Sequence, residues 1–443
     1  MSCARIITFQ SFYSTVMNNV RDIHIYLPPS YDRDTQTRYP VLYVHDGQNV
    51  FHSGFNGQSW RLDHVCNRLI SEGRMEEIII VAIGNAGLLR NEEYAHGGPF
   101  AERLPYPCRG EAYERFLIRE LKPFVDRSFR TKRESRDTGL MGSSRGGLVT
   151  YHLGFNRPDV FGKVAMLSPY FYQYHESSLS HEPIFNQYEE KGPLKLWIDT
   201  GGMEGMTVLA DHVREMAARL LRLGYRYGEE LAFGYFPEAV HNEEAWADRV
   251  HGPLLFLFGH LGEPDGVELT GSRVAGMEGK PTYVHPLLRY AGGLTIVDGE
   301  AELVLHPEDS AHIDEHGLIV PRSIGDCCVR YEKGRLGSAL HPLTVLPHLR
   351  EKANVAIRVR VPTDTPEDAR IHAGIPLVKK GVGIYEAEAE LPLNAGFSFH
   401  ITEESGLMEA DHEGKVSVQR HFVVNGDLKL QYEVIQWTRG QAF

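Results

Sequence analysis

Residues 138–147 read Thr-Gly-Leu-Met-Gly-Ser-Ser-Arg-Gly-Gly, and their reading decides the fold. A short run at 138–141 leads into Gly142-Ser-Ser-Arg-Gly, a Gly-x-Ser-x-Gly centred on Ser144, and Gly147-Leu-Val-Thr-Tyr-His opens a helical pattern behind it. A strand, a sharp turn and a helix present a serine hydroxyl at the edge of a sheet. The glycines allow close backbone approach, and the helix N-terminus favours negative charge developing beside the hydroxyl. The same letters also describe a Gly/Ser turn in which Ser143 or Ser144 is a helix N-cap, so the surroundings have to decide.

Outward from this turn, the first 260 residues alternate short apolar runs with amphipathic stretches. Strands are expected at 22–27, 41–46, 78–83, 138–141, 163–168, 194–199 and 231–236. Several are nearly continuous in apolar residues, as strands buried on both faces are. Helical spacing marks 113–125 and 212–223, the latter ended by Gly224, and a last helix is expected over 242–258. This pattern predicts an α/β class domain with helices on a parallel sheet over residues 1–262. After Gly262 the helical period disappears, and short alternating segments separated by Gly, Asp and Pro turns take over. They predict two small all-β sandwich domains, at 267–350 and 351–443, the second with strands near 355–361, 383–391, 397–401, 416–424 and 429–437.

The chain has 443 residues, too many for one compact domain, and a formal net charge of −13. An acidic balance argues against nucleic acid or an anionic membrane as a partner, since both need basic surface to displace counterions. No stretch approaches the roughly 18–20 apolar residues of a spanning helix. The N-terminal residues lack the basic-then-apolar layout of a leader, so the expected location is cytoplasmic. Five cysteines (Cys3, Cys66, Cys108, Cys327 and Cys328) form no metal-ligand spacing, and fit buried thiols in a reducing compartment. Cys327 and Cys328 fill alternating positions of a strand. With no His-Glu-x-x-His or Cys/His cluster, neither a metal nor an organic cofactor is expected.

A serine hydroxyl needs a base, and in this kind of fold the chain order is Ser, acid, His. His241 follows the expected strand 231–236 through the short loop Pro-Glu-Ala-Val and immediately precedes a helix, which makes it the leading base. His212 and His251 lie inside expected helices. For the acid, Asp199 ends a strand, Glu204 lies in the following loop Gly201-Gly-Met-Glu-Gly, and Asp211 opens the next helix. A carboxylate that orients a histidine belongs in the turn just past the strand, which favours Glu204. An oxyanion hole would take the Arg145 N–H and a second amide from His45-Asp-Gly-Gln-Asn-Val-Phe, where Gly47 lets the backbone bend and the Gln48 N–H points inward. Tyr170, Phe171 and Tyr172, in the aromatic stretch Ser168-Pro-Tyr-Phe-Tyr-Gln-Tyr-His, and Trp60 fall in loops expected near the mouth. There they would form a lid or a sugar-stacking wall, or else the loop packs on itself.

Several segments taken together are specific: Tyr26-Leu-Pro-Pro-Ser-Tyr, Tyr39-Pro-Val-Leu-Tyr-Val-His-Asp-Gly-Gln-Asn-Val-Phe, Gly142-Ser-Ser-Arg-Gly-Gly-Leu, Val160-Phe-Gly, Ser168-Pro, Gly201-Gly-Met-Glu-Gly and Val240-His-Asn-Glu-Glu-Ala-Trp. Over roughly residues 15–260 the chain resembles the family of esterase D, enterochelin esterase and feruloyl esterase. The resemblance implies an α/β-hydrolase fold without a cofactor and a triad carried by Ser144, His241 and Glu204, with the Gln48 and Arg145 amides as oxyanion hole. One departure is Gly202, where relatives commonly have Thr. Farther on, Ile313-Asp-Glu-His-Gly-Leu-Ile-Val-Pro-Arg-Ser-Ile-Gly resembles a bacterial immunoglobulin-like domain. Phe399-His-Ile-Thr, Glu409-Ala-Asp-His-Glu-Gly and Arg420-His-Phe-Val-Val are similar to late strands of starch-binding modules, although the region's sole tryptophan is Trp437.

The expected activity is hydrolysis of a carboxylic ester, an acetyl, feruloyl or similar acyl group on a small molecule or a sugar. Acyl transfer to a sugar acceptor, and carbohydrate binding by a protein with a degenerate hydrolase domain, are the competing readings. The β domains are expected to contact carbohydrate or a second copy of the chain.

Overall fold

The computed structural model describes residues 4–54, 57–175, 180–204, 209–279, 281–291, 294–314, 317–393, 395–417 and 419–438; Cys3 lies outside them. All seven runs expected as strands in the first 260 residues form strands. In chain order the N-terminal part holds β1 (Arg5–Ser14), β2 (Asn19–Leu27), β3 (Val41–His45), β4 (Ile79–Ile83), β5 (Thr138–Ser143), β6 (Lys163–Leu167), a separate hairpin β7 (Tyr172–His175) and β8 (Ser180–Pro183), β9 (Lys195–Gly201) and β10 (Leu231–Phe236). Eight of them make one sheet in the order β1-β2-β4-β3-β5-β6-β9-β10. From β4 to β10 every neighbouring pair is parallel, while β1 and β2 add an antiparallel edge.

Every residue of β3 and β4 is buried. The two faces of the sheet divide them by alternation: Leu42, Val44 and Ile80 enter one core, and Val41, Tyr43, Ile79 and Val81 the other. The helices that cover these faces are α1 (Leu62–Ser71), α2 (Arg90–Glu93), α3 (Gly110–Phe116), α4 (Lys122–Ser128), α5 (Arg145–Asn156), α6 (Leu209–Arg222), α7 (Glu243–Arg249) and α8 (His251–Phe258).

Two expected helices differ in detail. The helix expected over 113–125 is interrupted by a π turn at Leu117–Leu121 just before Pro123, whose missing N–H removes one helical hydrogen bond. The helix expected over 242–258 is two helices broken at Val250, because Pro253 cannot donate back to Arg249.

Beyond α8 the described residues form strands and one short 3-10 turn. β11 (Gly266–Gly271), β13 (Val284–Tyr290) and β14 (Leu294–Val297) make a three-stranded sheet, and β12 (Val274–Gly279) joins Ser338–Leu349, Gly325–Glu332 and Leu303–His306 in a four-stranded one. A further four-stranded sheet, built on Lys352–Arg360, Ile384–Pro392, Val378–Gly381 and Leu428–Glu433, is the largest among the described residues after 350. Cys327 is buried and Cys328 half-buried on neighbouring positions of one strand, as alternation requires.

The β region is not a string of beads. β14 lies against the edge strand β10, and Leu287, Leu294, Ile296 and Val297 are buried in the cores of the α/β part. Thr295 Oγ1 donates to the carbonyl of Tyr235 at 3.1 Å. On α6, Arg214 Nε donates to Nε2 of the buried His285 at 3.0 Å, and its guanidinium lies 3.7 Å from the Tyr283 ring centre. Burial drives the His285 imidazole well below its ordinary range, with the Arg214 charge adding to the effect, so the ring is the neutral acceptor this bond needs.

Candidate active site

The turn at Ser144 is strained in the way the sequence suggests. β5 ends at Ser143, α5 begins at Arg145, and Ser144 between them takes φ 54°, ψ −123°, a conformation that costs an L-residue energy. Its N–H donates to the carbonyl of Leu167 at the end of β6, and its carbonyl accepts from the Tyr170 N–H at 2.9 Å, so both flanks hold the turn. A Cβ on Gly142 would sit 2.4 Å from the Gly146 carbonyl oxygen, which makes glycine obligatory there.

β9 and β10 end beside this turn and carry two loops that touch. The Gly202 N–H donates to the Phe236 carbonyl and the Met203 N–H to the Ala239 carbonyl, at 2.9 and 3.1 Å. A Cβ on Gly201 would fall 2.1 Å from the Ala239 oxygen. The acid loop is therefore held by the histidine loop, with no side chain needed at Gly202. Asn242 caps α7, its Oδ1 accepting from the Ala245 N–H at 2.9 Å, and this fixes His241 just outside the helix. The His241 Nδ1 lies 3.0 Å from Glu204 Oε2, and the ring stands edge-on to Trp246.

Sequence reasoning missed what lies behind Glu204. Arg249, in the last turn of α7, is 2% exposed; its Nη2 donates to Glu204 Oε1 at 2.8 Å and to Ser168 Oγ at 2.5 Å, and its Nε donates to Asp199 Oδ1 at 3.1 Å. Glu204 Oε1 also accepts from the Gly201 N–H and the Ser168 hydroxyl, and Trp197 Nε1 donates to the other Asp199 oxygen. One cation thus serves two buried carboxylates, and they respond oppositely. For Glu204 burial opposes ionisation, but His241 and Arg249 together hold it below the usual carboxylate range. Asp199 is pushed up to about 6, mainly by burial, with the Glu204 charge adding to it and Arg249 only partly offsetting it. The signal in the sequence was the spacing of Trp246 and Arg249, three residues apart on the helical face that carries on into the apolar α8. Of the other candidate acids, Asp211 pairs with Arg214 at 2.7 Å.

On the other side of Ser144, Asp46 takes a left-handed conformation (φ 57°, ψ 46°) and starts the turn Gly47–Asn49. Arg90 grips its carboxylate with Nε and Nη2 at 2.6 and 2.8 Å, and Asn85 Nδ2 adds a third bond at 2.7 Å. Burial works against ionised Asp46, but Arg90 overcomes it and holds the carboxyl below its ordinary value. The amides of Gln48 and Arg145 have no hydrogen-bond acceptor among the described residues. Two free N–H groups on rigid turns can receive a developing oxyanion.

The expected substrate wall is only partly present. Trp60 is 1% exposed and packs on Trp246 with ring centres 5.8 Å apart, and Phe171 is fully buried against Tyr151 and Phe185. Both are core residues rather than mouth residues: the Trp60 N–H donates to the Asn49 carbonyl just before α1, and the Phe171 carbonyl accepts from the Ile184 N–H at the base of the β7–β8 hairpin. Tyr172 is half-buried, stacked on His212 and donating to Glu215. Tyr170 is half-buried beside Arg145. Trp437 donates to Thr365 Oγ1 and packs, partly buried, against the apolar cluster that includes Val355, Ile357 and Phe399.

The fold is that of an α/β-hydrolase, with a serine at the strand-to-helix elbow, a histidine bonded to a carboxylate, and two amides without an acceptor among the described residues. The Putative esterase family model matches residues 14–256, more than half of the chain, and the chain belongs to that family. It is 30% identical over 165 residues to the endo-1,4-beta-xylanase/feruloyl esterase of Xylanibacter ruminicola, a match covering 36% of this chain and 21% of that one. It is 27% identical over 163 residues to the uncharacterized protein YjcH of Bacillus subtilis, covering 36% and 60%. The chain thus spans about a fifth and three-fifths of these two relatives. Among solved structures, a ferulic acid esterase from Anaeromyces mucronatus is similar with a TM-score of 0.41 and 22% identity, covering 57% of this chain and 89% of that one. The enterobactin esterase of Shigella flexneri is similar with a TM-score of 0.43 and 18% identity, covering 57% and 59%.

Proposed function

We propose that the protein is a serine carboxylesterase in which Ser144, His241 and Glu204 act together. The observation that carries this reading is the His241–Glu204 contact at 3.0 Å, made at the same sheet edge as the strained Ser144. Glu204 Oε2 accepts the Nδ1 proton of His241, which leaves Nε2 unprotonated and able to take the Ser144 proton. The Ser144 oxygen bonds to the ester carbonyl carbon, and the oxyanion is received by the Gln48 and Arg145 amides, each such donor worth about 3 kcal/mol of barrier. His241 returns the proton to the departing alcohol, and water repeats the sequence to release the acid.

For substrates, we propose acetyl or feruloyl esters, on a sugar or a small alcohol. The match to a feruloyl esterase supports the acyl part, and the appended β sheets the sugar. We assign the units to 1–262, 267–350 and 351–443; among the described residues no pair of strands joins across 350, which supports that boundary. Four free thiols, Cys66, Cys108, Cys327 and Cys328, favour a reducing compartment, and no described helix is long and apolar enough to cross a membrane.

Fluorophosphonate labelling tests the mechanism: wild type should label at one serine, and Ser144→Ala should neither label nor turn over p-nitrophenyl acetate. A Ser144→Ala protein hydrolysing at the wild-type rate would sink it. Product analysis with a sugar acceptor present separates hydrolysis from acyl transfer.

A further inference from the structure

The residue after the candidate nucleophile is an arginine with no counter-ion among the described residues. Arg145 is half-buried at the first position of α5, and among the described residues no carboxylate lies within ion-pair distance of it. Its partners are neutral. Nη1 donates to the Tyr106 hydroxyl, Nη2 donates to Gln173 Oε1 at 2.8 Å, and the guanidinium lies 4.8 Å from the Tyr170 ring centre and 5.4 Å from that of Tyr106. These contacts clamp the fork between the 104–109 loop and the β7–β8 hairpin. Of the five N–H donors of a guanidinium, three are left without an acceptor among the described residues, and Nε, the one nitrogen with no partner at all, is not a buried atom. The half-buried fork is therefore open at Nε, on the residue that directly follows Ser144.

A purely structural role explains this poorly. A cation in the first turn of a helix opposes the helix dipole, which favours anions there. Partial burial without a counter-ion adds a desolvation cost that the neutral acceptors offset only in part. The other arginines beside the site are treated differently: Arg90 is neutralised by Asp46, and Arg249 by Asp199 and Glu204. What is missing at Arg145 is one negative charge, and a planar fork held by two clamps suits a carboxylate or a similarly flat oxyanion.

We propose that the Arg145 side chain recognises an anionic group on the ester, making this a hydrolase of esters that carry a carboxylate close to the scissile bond. This deepens the esterase reading and rests on it. The charge can sit on the acyl part, as in a dicarboxylic half-ester, or on the alcohol, as in an acid-bearing sugar or phenol; the chemistry seen by Arg145 is the same.

Two matched substrate pairs on the full chain separate these sources. p-Nitrophenyl acetate against mono-p-nitrophenyl succinate varies the acyl charge. Methyl 4-acetoxybenzoate against 4-acetoxybenzoate varies the alcohol charge. The expected result is a higher kcat/KM for the charged member of one pair, with the charged-to-neutral ratio falling about 10- to 100-fold in Arg145→Met, the range of a charge-assisted bond. Arg145→Lys, which keeps the charge but not the fork, should recover part of that ratio. In wild type the same ratio should shrink as salt rises from about 0.02 M to about 0.5 M, a readout that stands even if the variants fold poorly. Hydrolysis of the neutral esters with charged-to-neutral ratios that neither Arg145→Met nor salt changes overturns the proposal and leaves the esterase reading intact. A wild type inert towards all four esters overturns both.

Discussion

Replacing Arg249 with methionine removes one cation and leaves two buried carboxylates facing each other. Asp199 and Glu204 are both below a tenth exposed, and each receives a guanidinium hydrogen bond, at 3.1 and 2.8 Å. Breaking a buried ion pair by deleting one partner costs about 3–5 kcal/mol. The size can be approached independently. With Arg249 in place Asp199 already sits at about 6 rather than 3.8, which at about 1.4 kcal/mol per pH unit makes its ionisation at neutral pH cost about 3 kcal/mol. Without Arg249 that cost can only grow.

The sign with pH follows. A carboxyl whose folded value is raised contributes stability that is complete below the unfolded value and is lost as pH rises through the folded one. The Arg249→Met deficit should therefore be largest near about pH 7.5 and shrink as pH falls through about 6. Glu204 has the opposite sign: its contribution is present above the ordinary carboxylate range and lost only as pH drops through its depressed value, which sets the lower limit of the useful window. Equilibrium urea unfolding at several pH values, followed by tryptophan fluorescence, reads the deficit, since Trp197 and Trp246 belong to the network itself. Asp199→Asn in the Arg249→Met background should recover about 2 kcal/mol at neutral pH. A deficit below about 1 kcal/mol, or one equal at about pH 5.5 and 7.5, would refute this account of the network.

Other outcomes follow from geometry elsewhere. Gly201→Ala puts a methyl group into the Ala239 carbonyl and should part the acid and histidine loops, lowering kcat at least about 100-fold, while Gly426→Ala, with nothing within 4 Å, should leave activity unchanged. His285 is held neutral between Arg214, Tyr235 and Tyr283, with Asp211 bonded to the far side of Arg214. Its depressed value means its contribution is whole above about pH 6.5 and fades below it, so the protection factors of β13 and β14 amides, corrected for the intrinsic exchange rate at each pH, should fall on mild acidification in wild type. Equal protection of these strands at about pH 5 and 7.5 would count against it.

What could be read from the chain was what neighbouring residues spell together. The elbow is ten consecutive residues with strand, turn and helix in one line, so Ser144 and the Arg145 amide were legible at once. Glu204 and His241 followed from loop position after their strands. β1 was not legible, because a bulge between Phe9 and Phe12, with Ser11 at φ 54°, breaks the two-residue alternation that marks a strand. Arg249 escaped because its partners lie 45 and 50 positions away and a charged residue in a helix reads as surface until packing is known. Trp60 misled for the converse reason: a tryptophan in a loop resembles a ligand platform, yet this one is held against Trp246. Glu93, in a short polar stretch, is likewise fully buried in an ion pair with Arg21, a partner 72 positions away.

The seating of β14 against β10 bears on how the molecule can be cut. β10 is the last strand of the sheet and leads directly into the histidine loop, so its outer side is the natural place for a foreign strand to add. That side is closed by residues some sixty positions downstream, and Leu287, Leu294 and Ile296 complete the apolar packing around it. A fragment ending after α8 would carry an open strand edge and an uncovered apolar flank beside its own histidine, two features that promote self-association. For expression, shuffling or grafting, the smallest portable piece is the α/β part together with the sheet that shields it.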